Sequence, residues 1–168
     1  MKSIKRATTA LCHWGFVTVV PLVACEHRPT ATTPTPPQQV ETGSRFHLRA
    51  PLAFPAGSSE LLFQNEQVVT AAQLSRDMPY CRLRPDGGAP RAIPPGHLTV
   101  GAVNYDEREI GSTSEMVNVT RVALSAGVTQ SRYALSCGWP AGAPSRAFVT
   151  TEQIFNAIGG QFSMDLLR

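Results

Sequence analysis

Beyond Lys5 the chain has no lysine, and the whole sequence carries only four histidines. Without a lysine, a phosphate-cradling glycine loop cannot be completed. Gly-x-Ser-x-Gly and His-Glu-x-x-His are also absent, which removes the strained-turn serine nucleophile and the helical zinc motif. There is no Cys-x-x-Cys and no internal repeat of useful period. Long apolar runs are missing too. The most apolar stretch, Ala7 to Ala24, is shorter than the about 20 residues a membrane-spanning helix needs, and His13, Gly15, Thr18 and Pro21 interrupt it.

These absences leave little chemistry to place. A His-centred triad or zinc site in the body of the chain would have to recruit His47 or His97, since His27 lies in a proline-rich stretch. A lone histidine at a strand edge or after a turn is more often a surface residue than a catalyst. Asp106, Glu107 and Glu109 form a short acidic cluster that reads as the solvated end of a strand, with cation binding or pairing to Arg108 as the rival. No cofactor is expected, and no catalytic or metal-ligating residue is assigned.

Charge is informative once it is located. Of the fifteen basic residues, Lys2, Lys5 and Arg6 precede residue 7, and removing them leaves twelve against twelve acidic ones. The excess positive charge therefore belongs to the N-terminal segment. The remaining arginines are scattered rather than clustered, so no nucleic-acid partner is expected.

That N-terminal segment has a positive n-region followed by an apolar h-region, the order of a secretory signal peptide. It ends in Leu22-Val23-Ala24-Cys25, which resembles the lipobox of bacterial lipoproteins. The resemblance covers the first 25 residues. It implies that the Cys25 thiol takes a diacylglyceryl group, that cleavage follows Ala24, and that acyl chains hold the protein on a membrane. Glu26 is not the aspartate that retains such proteins in the inner membrane, so the expected address is the outer membrane, facing the periplasm. The alternative is an ordinary signal peptide, a free Cys25 thiol and a soluble periplasmic protein.

With Cys12 in the signal and Cys25 lipidated, Cys81 and Cys137 remain as an even pair in an oxidising compartment. A disulfide between them is expected; a redox pair or two metal ligands are the rivals. Trp139, two residues past Cys137, is expected to pack against that bond rather than serve recognition.

Residues 25–44 carry Pro29, Pro34, Pro36 and Pro37 among Thr and Gln and read as an extended tether. Residues 45–168 read as one β-rich domain. Strands are expected at 45–49, across 60–69, at 80–84, 97–105, 116–124 and 132–139, separated by Pro85-Asp86-Gly87-Gly88 and Pro94-Pro95-Gly96 turns. In 116–124 the alternation puts Met116, Asn118, Thr120, Val122 and Leu124 on one face. A short helix is expected at 70–76. Thr150-x-x-Gln153 fits a capping box before a helix that Gly159-Gly160 ends, and 161–167 returns as a strand. The expected fold is a mainly β single antiparallel sandwich or partly open barrel with one C-terminal helix.

Three function classes follow. The leading one is a non-enzymatic envelope lipoprotein whose tethered β-domain makes protein contacts in an envelope assembly. The second is a binding module for a small apolar or glycan ligand in the periplasm. An envelope hydrolase would return only if His47 or His97 sat beside an acid and a serine in a cleft.

Overall fold

A computed structural model of the protein describes residues 39–87, 91–111, 114–127, 131–143 and 147–167. The expected signal peptide, Cys25 and the expected tether up to residue 38 lie outside the described residues. Eight strands form one antiparallel sheet in the order β10-β1-β7-β8-β9-β5-β3-β4. They are β1 (Arg45–Leu48), β3 (Leu61–Gln64), β4 (Gln67–Val69), β5 (Tyr80–Pro85), β7 (Gly96–Ile110), β8 (Glu115–Ala126), β9 (Arg132–Pro140) and β10 (Phe162–Asp165). A separate ribbon pairs β2 (Leu52–Ala53) with β6 (Ala92–Ile93). The sheet curls into a half-barrel and carries one helix, α1 (Thr151–Ile158), so the expected partly open barrel with a C-terminal helix is the architecture observed.

The curl follows from what the strands bury. Phe46, Leu48, Phe63, Cys81, Leu83, Val122, Leu124, Leu135 and Cys137 alternate with outward residues and meet in one core. Phe162 on β10 sets its ring edge-on to Phe46 at 6.3 Å and to Phe63 of β3 at 6.1 Å. Strands β10 and β3 lie near opposite ends of the sheet order, so one aromatic residue spans the open side from within. Helix α1 lies against β3, β5 and β10 and buries Ile154, Ala157 and Ile158 in the same core. The core also reaches back before β1: Val40 is buried, and Gly43 N–H donates to the Val100 carbonyl at 2.8 Å.

The helix ends as its sequence suggests, for a partly different reason. Thr150 Oγ1 accepts from Gln153 N–H, and Gln153 Oε1 accepts from Thr150 N–H, closing the capping box. At the other end Gly159 is right-handed, with φ −59°, so it is not a left-handed cap. Gly160 is needed for room instead, because a Cβ there would collide with the Glu66 backbone carbonyl. We expect Gly160→Ala to lose about 1–3 kcal/mol in urea unfolding. A neutral result would mean that the β3–β4 turn does not press on the helix end.

That turn divides the 60–69 segment, which the sequence presents as undivided. Asn65 and Glu66 have φ 51° and 64°, the two left-handed positions of a two-residue hairpin. Glu66 is an unusual choice there; its N–H is anchored by the Asn156 and Ala157 carbonyls at 3.0 Å. The 70–76 helix shrinks to a 3₁₀ turn at Ala71–Gln73.

Strand β8 also departs from simple alternation. Asn118, with φ 50°, sits in a bulge where the β8–β9 register shifts between Val117 and Thr120. Thr120, Val122 and Leu124 are all buried, but Met116 joins Val119, Tyr80 and Leu62 in a second apolar cluster. Leu62 and Tyr80 are flanked by core residues on β3 and β5, which places that cluster on the convex face.

Candidate functional site

The convex face carries a buried charge cluster. Strand β5 alternates Cys81 and Leu83 into the core with Tyr80, Arg82 and Arg84 outward, and Arg82 is nonetheless 0% exposed. Its cover comes from the far end of the β7–β8 hairpin. Strand β7 is separated from β5 by β8 and β9 in the sheet, yet Glu109 of β7 bonds Arg82, and a Cβ at Gly111 would overlap the guanidinium. The hairpin end therefore folds over the convex face. It crosses at Gly138 of β9, where a Cβ would come within 3.0 Å of the Val117 carbonyl.

Beneath the hairpin the charges are matched. Arg82 Nε lies 3.3 Å from Glu60 Oε2 and Nη1 lies 3.4 Å from Glu109 Oε1. Arg82 Nη2 donates to the Ser114 carbonyl at 2.6 Å and to Ser114 Oγ at 2.8 Å. Glu109 Oε1 also accepts from Arg84 at 2.6 Å, and Oε2 from Arg121 Nη2 at 2.9 Å. The Tyr80 hydroxyl and Ser114 Oγ are 2.7 Å apart. Burial pushes the Tyr80 hydroxyl above its ordinary value, and the Glu60 and Glu109 charges add to that against Ser114 and Arg82.

The acidic cluster thus splits. Contrary to its reading as a solvated strand end, Glu109 is buried at 5% exposure because β7 runs on to Ile110 and bends over the sheet. Arg108 pairs with Glu115 at 2.9 Å, Asp106 faces Arg121 at 3.4 Å, and Glu107 is exposed. Among the described residues, no group of three or more His, Cys, Asp or Glu is placed to hold a metal ion.

Burial tends to raise the Glu109 carboxyl. The facing Ser136 hydroxyl, the Arg121 hydrogen bond and the charges of Arg84 and Arg121 outweigh it, so the carboxyl is held below its ordinary value. A lowered native pKa contributes stability above the unfolded-state value, about 4.3, and that contribution is lost as pH falls through the native value. The melting-temperature gap between wild type and Glu109→Gln should therefore be widest near pH 7 and narrow below about pH 4. A gap that stays constant from pH 7 to 3 would mean that Glu109 does not titrate in contact with the arginines.

The two histidines of the domain meet. Strands β1 and β7 place His47 directly opposite His97, with ring centres 4.6 Å apart and planes tilted by 44°. On its other side His47 is opposite Ser163 of β10. No hydrogen bond links His47 Nδ1 to any group, and the row lines none of the described grooves. A serine and a histidine are neighbours here, but neither lines one of the described grooves.

The other expected residues fall as follows. Cys81 and Cys137 are bonded and lie opposite each other in β5 and β9. Trp139 is buried in the same cluster as the disulfide, and its Nε1–H donates to the Ala147 carbonyl at 3.1 Å. Two surface grooves are the roomiest described. One of about 530 Å³ lies among Arg84, Asp86, Arg132 and Tyr133. The other, about 240 Å³, lies under Tyr105 and Phe148, whose exposed rings meet edge-on at 5.4 Å. None of the described helices is long and apolar enough to cross a membrane.

Comparison of the chain with protein-family models, with curated proteins and with solved structures returns no match in any of the three.

Proposed function

We propose that the protein is a bacterial lipoprotein, anchored by acyl chains on Cys25 to the periplasmic face of the outer membrane, whose β-domain works by protein contact. The observation that carries the contact reading is the filled interior of the half-barrel. Phe46, Phe63 and Phe162 occupy the space where a barrel would hold a ligand, and α1 stops its open side. The buried charges of the convex face, Arg82, Glu60 and Glu109, are likewise spent on one another. What the domain offers outward is sheet edge: β4, with Val68 42% exposed, and β10 terminate the sheet. Exposed edges recruit partner strands through main-chain hydrogen bonds.

A small-ligand module is the second reading, and the 240 Å³ groove beneath Tyr105 and Phe148 favours it. That volume falls below the roughly 300–1,000 Å³ of ordinary ligand pockets; the groove of about 530 Å³ lies within the range, but its rim carries the exposed Arg132–Asp86 pair, which does not suit an apolar ligand. The readings separate by photo-crosslinking in intact cells, with the crosslinker at Val68 or at Phe148. Discrete protein adducts from Val68 that vanish in Cys25→Ala support contact at a membrane. A lipid or glycan adduct from Phe148, with no protein adduct from either site, would overturn it.

A further inference from the structure

We infer that His47 and His97 form a two-histidine site for a borderline divalent transition ion such as Ni(II), Cu(II) or Zn(II), on the convex face beside edge strand β10. The inference is independent of the lipid anchor. The first support is register: the two residues are directly opposed in neighbouring antiparallel strands, so both side chains leave the same face. The second is distance. A metal–nitrogen bond of about 2.0–2.1 Å places an imidazole ring centre about 3.2 Å from the ion, and two ligands about 90–110° apart then have ring centres about 4.5–5.2 Å apart. The observed separation is 4.6 Å, and the 44° tilt is unlike parallel stacking.

The third support is the state of the nitrogens. His47 Nδ1 is buried and unpartnered in the protein, which leaves a ring nitrogen uncommitted where an unsatisfied group is costly. Imidazole nitrogen suits nickel, copper and zinc over magnesium or calcium, and the expected order of affinity places copper first. Around the pair, Ser163 lies opposite His47, and Arg45 and Asp165, one position along the same face, oppose each other. Of the two arginines equally near His47 along the chain, Arg45 thus has an acidic counterpart across the strand, and Arg49 is exposed to solvent, which screens its charge. Two protein ligands leave coordination positions open, as a site that loads and releases an ion requires.

The test is calorimetric titration of CuCl₂ and NiCl₂ into the full chain carrying Cys12→Ser and Cys25→Ser, which removes the thiols that would bind the ions or reduce Cu(II), after chelator treatment and with Cu(II) electron paramagnetic resonance as a second readout. That protein and its His27→Ala derivative should each bind one equivalent, with nitrogen hyperfine structure for copper. His97→Gln, which alters an exposed side chain and leaves the core intact, should lose about tenfold or more in affinity, and His47→Ala should lose as much. Binding that survives in His97→Gln, or that disappears in His27→Ala, would overturn the assignment, as would no binding at millimolar metal.

Discussion

Arg82→Ala should unfold with about 3–5 kcal/mol less stability than wild type, and its melting temperature should fall by roughly 10–20 °C. The magnitude comes from what the substitution strands. The Glu60 and Glu109 side chains are 3% and 4% exposed, and removing the guanidinium leaves both beside an emptied space, while the Ser114 carbonyl keeps only its bond from Gly111 N–H. Breaking a buried ion pair from one side is costly, whereas the intact pair contributes little net stability, so the effect is a loss upon truncation. Arg82→Lys should recover only part of it, because one ammonium cannot reach Glu60, Glu109 and Ser114 from the positions of a planar fork. Arg84→Ala, which removes a side chain 35% exposed, should cost nearer 1 kcal/mol. An Arg82→Ala protein within about 1 kcal/mol of wild type would mean that the β7–β8 hairpin does not close over the convex face.

The second large effect concerns the disulfide. Cys81 and Cys137 are 56 residues apart, and both are buried in the central strands. In the chain-entropy description, closing a loop of that length restricts the unfolded chain by about 4 kcal/mol. The double variant Cys81→Ala/Cys137→Ala should lose about 4 kcal/mol of unfolding free energy, seen as a lower urea midpoint together with a larger m-value because its unfolded state is more open. An unchanged midpoint would show that the bridge does not constrain the unfolded chain.

Features set by neighbouring residues were legible in the sequence, and features set by distant ones were not. The Thr150/Gln153 capping box, the alternation of β1 and β5 and the even cysteine pair are local signals, and each matches the structure. The end of β7 was misread because Asp106, Glu107 and Glu109 look like a solvated run. The partners that permit burial of Glu109, Arg82 and Arg84, lie more than twenty residues away on another strand. Nothing in Tyr80-Cys81-Arg82-Leu83-Arg84 separates the buried arginine from the half-exposed one; the difference is Gly111 overhead. The Asn118 bulge inverts the face of Met116 by inserting one residue, a change of phase that period-two reading cannot see. Likewise both histidines were visible as isolated residues, but their opposition depends on the β1–β7 register.

The proposed role rests on position, so the anchor is its central claim. The direct measurement is the intact mass of the protein recovered from separated membranes of a Gram-negative host, for wild type beside Cys25→Ala. The account predicts a wild-type species that starts at Cys25, carries diacylglyceryl and acyl mass and fractionates with the outer membrane, while Cys25→Ala is soluble or unprocessed. Unacylated wild-type protein, soluble in the periplasm alongside the variant, would contradict it.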